Sequence, residues 1–151
     1  HYTYAWAMTS APFRSPVRLA ALALVLLSSS ASACWEDAAH RYQVDARLLH
    51  AIARTESSLD PRAVRVNRNG TRDLGLMQIN SAWLPVLAKS GIRERDLFDP
   101  CTSVHVGAWI LATNIARLGP TWAAVGAYHS PTRWRARAYV DRVRRHLDAR
   151  L

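Results

Sequence analysis

Cysteine is nearly absent from this sequence: Cys34 and Cys101 are the only two in 151 residues. That excludes a disulfide-dense miniature scaffold and a zinc site built from four thiolates. Histidines 40, 50, 105, 129 and 146 show no His-x-x-x-His spacing, and Cys-x-x-Cys does not occur. No metal and no other cofactor is therefore expected. Long hydrophobic runs are missing too. The apolar stretch Leu19–Leu27 spans nine residues, well short of the roughly 20 that a helical membrane span requires. Six glycines, seven prolines and the lack of any internal repeat exclude a fibrous or low-complexity chain. Acidic residues are few, 11 against 20 lysines and arginines, so few carboxyl groups are available for acid–base chemistry.

What is present divides the chain in two. Arg14 and Arg18 precede the Leu19–Leu27 run, and Ser28-Ser29-Ser30-Ala31-Ser32-Ala33 leads to Cys34. A positive segment, a short apolar segment and an Ala-x-Ala ending describe a secretory signal peptide. Residues 1–33 are thus read as an N-terminal extension and leader, with Met8 as the expected start. Residues 34–151 form one domain of ordinary size. Export implies a periplasmic location and an oxidising compartment. There the two cysteines have two alternative uses. They pair as a disulfide, the favoured reading, or Cys34 becomes a lipidated first residue. Ala31, at a position where a lipoprotein signal prefers Leu, speaks against the lipid anchor. The basic surface suits an anionic cell envelope. The alternative, nucleic-acid binding along the arginine-rich C-terminal segment, lacks a platform of stacked aromatics.

Periodicity predicts a mainly α architecture with at most a small β element. A first helix over 44–58 carries Val44, Leu48, Leu49, Ile52 and Ala53 on one face, and Asp60-Pro61 ends it. A polar stretch, 65–73, contains Asn69-Gly70 and reads as a loop or short hairpin. A short helix is expected over 81–90. A longer one over 102–118 has the stripe Val104, Ala108, Leu111, Ile115 and Leu118. Two more cover 121–129 and 132–147, the last with Ala136, Val140, Val143 and Leu147 facing the core.

Glu56 continues the apolar face of the first helix by the same spacing. A carboxyl buried there would have its pKa raised, as a general acid requires. At a frayed helix end it would instead face water, and the pattern alone leaves both open. Gly75-Leu76-Met77-Gln78-Ile79-Asn80 mixes a glycine, two amides and three apolar side chains. By itself it reads somewhat more readily as a buried loop-to-helix junction than as a cleft floor. Ala127-Tyr128-His129 places a tyrosine at the end of an apolar helix.

Taken together and in order, Glu56-Ser57, Gly75–Asn80 and Ala127-Tyr128 resemble the motifs of the soluble-lytic-transglycosylase domain, whose fold is similar to goose-type lysozyme. Cys34-Trp35 and Asp99-Pro100-Cys101 resemble small exported members associated with secretion systems and pili. The resemblance implies a lysozyme-like α+β domain with a hairpin beside the cleft. It implies cleavage of peptidoglycan glycan strands between N-acetylmuramic acid and N-acetylglucosamine, with 1,6-anhydro ends as product. Glu56 would be the catalyst, with Ser57 setting local geometry. Met77, Gln78 and Asn80 would lie along the glycan, and Tyr128 and His129 beside the carboxyl. The partner would be an envelope-spanning secretion or pilus apparatus. His129 stands where the family usually has Asn, so a hydrolytic muramidase and a weakly active wall-binding protein remain as alternatives. Asp73, in the loop before the glycine motif, is the rival second carboxyl. It is read here as a loop organiser accepting backbone N–H bonds.

Overall fold

The computed structural model describes residues 34–149. The leader assigned to residues 1–33 lies outside them. The described residues form six helices and a three-stranded antiparallel sheet. They are α1 (34–42), α2 (Ala46–Ser57), α3 (Leu84–Ala88), α4 (Pro100–Leu118), α5 (Trp122–His129) and α6 (Arg133–Asp148). The strands β1 (Val64–Val66), β2 (Arg72–Leu74) and β3 (Ile79–Asn80) lie between α2 and α3 in the chain. This is the mainly α fold with a small hairpin that the sequence implies.

Local chemistry sets the helix limits. Asp45 caps α2 by accepting the Arg47 amide at 2.7 Å, so the helix begins at Ala46, two residues later than the apolar pattern suggests. Asp99 accepts the Thr102 amide at 2.8 Å, and Pro100 occupies the first turn of α4, where its missing N–H costs nothing. The segment expected as one helix over 81–90 divides into a 3-10 turn, Ser81–Trp83, and the short α3. Asn80 caps that turn through the Ala82 amide. Helix α1 is not anticipated by the sequence reading, although Trp35, Ala38, Ala39 and Tyr42 carry helical spacing and Ala38 is fully buried.

Helix α4 is the axis of the domain. Ser103, Val104, Val106, Gly107, Ala108, Ile110, Leu111 and Asn114 are all buried, an arc far wider than one stripe, while Leu118 is 41% exposed. Helix α5 packs on both α4 and α6, and α2 packs on α6. Tyr139, Val140 and Val143 carry the buried face of α6, and Leu147, expected in the core, is 37% exposed.

Cys34 and Cys101 form a disulfide with Cα atoms 5.4 Å apart, which clips α1 to the first turn of α4. The sulfur a lipid anchor would need is thereby engaged. Asp37 and His105 join the same two helices at 3.1 Å. The bridge closes a separation of 67 residues, for which chain entropy gives an upper estimate of about 4 kcal/mol. Reduction is expected to lower the urea midpoint by a corresponding amount. An unchanged midpoint with and without reductant would show that α1 contributes nothing to the fold.

Candidate active site

The site is built where the end of α2, the sheet, and the junction of α5 with α6 meet. A cavity of about 810 Å³ opens there, lined in part by Glu56, Asp73, Gln78, Asn80, Tyr128 and His129. Of the candidates named from sequence, Ser57 and Met77 are not on its wall. Ser57 is the last residue of α2, and its hydroxyl donates to the Leu76 carbonyl at 2.7 Å, tying the helix end to the glycine motif. Met77 is fully buried beneath that motif. Its backbone carbonyl accepts from the Tyr128 hydroxyl at 2.9 Å, and its amide donates to Ser103 at 3.1 Å. Gly107 leaves room for the Tyr128 bond, because a Cβ there would come within 3.0 Å of the Tyr128 hydroxyl and also crowd the end of the Met77 side chain.

Gln78 adopts a positive φ of 50°, unusual for a residue with a side chain. Its amide holds the turn by donating to the Gly75 carbonyl at 3.0 Å and to the Ala63 carbonyl at 3.1 Å. Strain of this kind persists only where surrounding contacts fix it, and it concentrates at functional sites.

The sheet register creates a polar row. Asp73 on β2 stands opposite Arg65 on β1 and Asn80 on β3. Its carboxylate accepts from Arg65 Nη2 at 2.9 Å and Nε at 3.1 Å, and from Asn80 Nδ2 at 2.7 Å. Asp73 therefore organises the sheet through side chains rather than backbone amides. Arg65 Nη2 also lies 4.0 Å from Glu56 Oε2, beyond hydrogen-bond length.

Glu56 has a strongly altered proton affinity. Its side chain is 5% exposed, and burial pushes its pKa from 4.5 up to about 7. Asp73 adds to the rise, while the Tyr139 hydroxyl and the Arg65 and Arg142 guanidiniums oppose it without overcoming burial. The carboxyl thus keeps its proton to near neutrality. Tyr139, which sequence reading missed, is fully buried on α6, and its hydroxyl acts on the Glu56 carboxyl while meeting no partner in good hydrogen-bond geometry. His129 stacks flat on the Tyr139 ring, with centroids 4.7 Å apart and planes 2° from parallel. Burial, then the Arg142 and Arg65 guanidiniums, lower the His129 pKa and so favour the uncharged ring. Trp83 completes the wall, braced edge-on against Trp109 at 5.3 Å. A half-buried indole of this kind suits the apolar face of a sugar ring.

The raised pKa has a consequence for stability. Between pH 4.5 and about 7 the unfolded glutamate ionises while the folded one retains its proton. The contribution is fully present below pH 4.5, is lost as pH rises to about 7, and is flat above. Its size is about 3 kcal/mol. Unfolding free energies of wild type and Glu56→Gln, compared at pH 4 and pH 8.5, are expected to differ by that amount in their pH dependence. A constant difference at both pH values would place Glu56 in water.

Residues 33–143 match the transglycosylase SLT domain, and the chain belongs to that family. Membership supports a lytic-transglycosylase-type function directed at peptidoglycan. Among curated relatives, "Invasion protein IagB" of Salmonella typhimurium is 44% identical over 110 residues, covering 72% of this chain and 69% of the relative. "Protein IpgF" of Shigella flexneri is 43% identical over 100 residues, 66% of each chain. A "Peptidoglycan-binding-like protein" of Escherichia coli O157:H7 is 38% identical over 112 residues, 69% of this chain and 67% of that one.

Proposed function

We propose that the protein is an exported lytic transglycosylase that cleaves peptidoglycan between N-acetylmuramic acid and N-acetylglucosamine. The observation that carries this reading is Glu56: a carboxyl on the wall of a large cavity, 5% exposed, with a pKa of about 7. Protonated, it donates to the glycosidic oxygen as the bond to C1 breaks. The N-acetyl group of the muramic acid supports the electron-poor C1 from the opposite face. Glu56, now a carboxylate, accepts the proton of the C6 hydroxyl as O6 bonds to C1 and closes the 1,6-anhydro ring. The proton inventory returns to its start, and no water is consumed.

Two-carboxyl hydrolysis is the second reading, favoured by one observation: Asp73 lines the same cavity. Its two oxygens are occupied by Arg65 and Asn80, which suits holding the sheet and stabilising positive charge better than attacking C1. Mass analysis of muropeptides released from purified sacculi separates the readings. The transglycosylase gives ends one water lighter than those of hydrolysis; reducing ends gained with water would replace it by a muramidase.

Action beside an envelope-spanning secretion or pilus apparatus is part of the proposal, supported by the relative named as an invasion protein. A periplasmic location is supported by the disulfide and the leader-like residues 14–33. Among the described residues no helix is long and apolar enough to cross a membrane.

A further inference from the structure

Three guanidiniums line the cavity, those of Arg65, Arg68 and Arg135. The wall's two carboxyl groups both lie beside Arg65, Asp73 at 2.9 Å and Glu56 at 4.0 Å, and neither is paired with Arg68 or Arg135. Arg68 lies in the turn between β1 and β2 and is exposed; no hydrogen bond or ion pair engages it within the described residues. Its neighbours in the turn are already occupied with Thr71, Asn67 Nδ2 donating to its hydroxyl at 3.1 Å and Asn69 Oδ1 accepting from that hydroxyl at 2.7 Å. Arg135 comes from the first turn of α6. Its guanidinium rests 5.1 Å above the ring of Trp134, itself 68% exposed, and has no acidic partner within the described residues. Arg72 meets Glu94 at 2.7 Å and Arg47 meets Asp45 at 3.2 Å, while other arginines also stand without an acid among the described residues; Arg68 and Arg135 are set apart by lining the cavity that holds Glu56. Positive charge is left unmatched at the cavity.

We infer that Arg68 and Arg135 bind a carboxylate carried by the substituent on the muramic acid, and so select glycan bearing anionic groups over neutral aminosugar polymer. The inference rests on the proposed activity and deepens it. N-acetylglucosamine is uncharged, whereas the 3-O-lactyl group of muramic acid ends in a carboxylate when free. When it carries a stem peptide, the peptide brings carboxylates of its own. A guanidinium presents paired N–H donors that match a carboxylate edge, an arrangement that neutral sugar hydroxyls cannot exploit. The Trp134 ring beneath Arg135 limits its rotamers and so lowers the entropy cost of each contact. Long-range attraction would also draw an anionic strand toward the cavity before contact.

The test uses the non-cleaving Glu56→Gln chain as receptor, so that binding is read apart from chemistry. Three glycans of matched length are offered: one with stem peptides, one stripped by an amidase to leave lactyl carboxylates, and the stripped form with those carboxylates converted to methylamides. Introducing Arg68→Gln and Arg135→Gln together is expected to weaken binding of carboxylate-bearing glycan roughly tenfold and to leave the methylamide unaffected. Arg68→Lys with Arg135→Lys is expected to recover part of the loss. A loss seen on the stripped glycan assigns the lactyl carboxylate; a loss confined to the peptide-bearing strand assigns the stem. Equal binding of all three glycans by parent and double glutamine variant, or no binding by either, overturns the inference. The result is independent of whether wild type yields anhydro products, so the two proposals fail separately.

Discussion

Glu56→Gln is expected to reduce release of muropeptides from purified sacculi by about a thousandfold or more, within the range that general acid–base catalysis supplies. The same group must first give and then take a proton, and an amide does neither. The substitution is close to isosteric with the protonated acid that burial favours, so the fold is expected to persist. Circular dichroism and the urea midpoint at pH 5 check that. A variant that keeps a tenth of the wild-type rate would remove Glu56 from the mechanism. The pH profile adds a second reading: wild-type activity should fall as pH rises through about 7, because the donor form disappears.

The largest structural effect is expected from Gly75→Ala. Gly75 has φ of +72°, a conformation that a side chain disfavours, and a Cβ there would collide with the backbone carbonyl oxygen of Leu97. That oxygen belongs to the 3-10 turn Glu94–Phe98, which packs on α4, so it has little freedom to move. Gly75 also donates to the Ala63 carbonyl at 2.8 Å and accepts from Gln78. A loss of roughly 3 kcal/mol or more is expected from strain and overpacking combined. Chemical denaturation measures it directly. A loss below about 1 kcal/mol would mean that the turn shifts freely and that the cavity wall is not fixed by it.

Much of this site was legible in the sequence because periodicity and order survive folding. Counting from Leu49 and Ile52 put Glu56 on the line of the apolar face without deciding between burial and a frayed, solvated end; the glycine motif and Tyr128 following in the family's order favoured burial. The side-chain directions were not legible. Met77 and Gln78 look alike as motif members, yet one is fully buried under the cavity and the other lines it while bracing its own turn. Whether a motif side chain faces ligand or core depends on local φ, and the positive φ at Gln78 has no signature in composition. Arg65 and Asp73 are eight positions apart and become neighbours only through strand register. Tyr139 was hidden inside an arginine-rich helix whose apolar positions were read as Ala136, Val140, Val143 and Leu147. Its ring is the largest fully buried side chain among the described residues. Helix α1 was overlooked because its spacing, Trp35 to Tyr42, follows directly on the leader-like stretch.

The alignment of Arg65, Asp73 and Asn80 across three strands couples assembly to chemistry. Successive residues of a strand point to opposite sides, so sliding β2 by a single position would turn Asp73 away from both partners. An ionised group would then be left without compensation, and Arg65, 4.0 Å from Glu56 in the correct pairing, would lose its anchor beside that buried carboxyl. A mispaired hairpin is thus penalised twice, once energetically and once by losing competence. On the proposed activity, only a chain whose three strands have zipped up in the right frame would act on the cell wall.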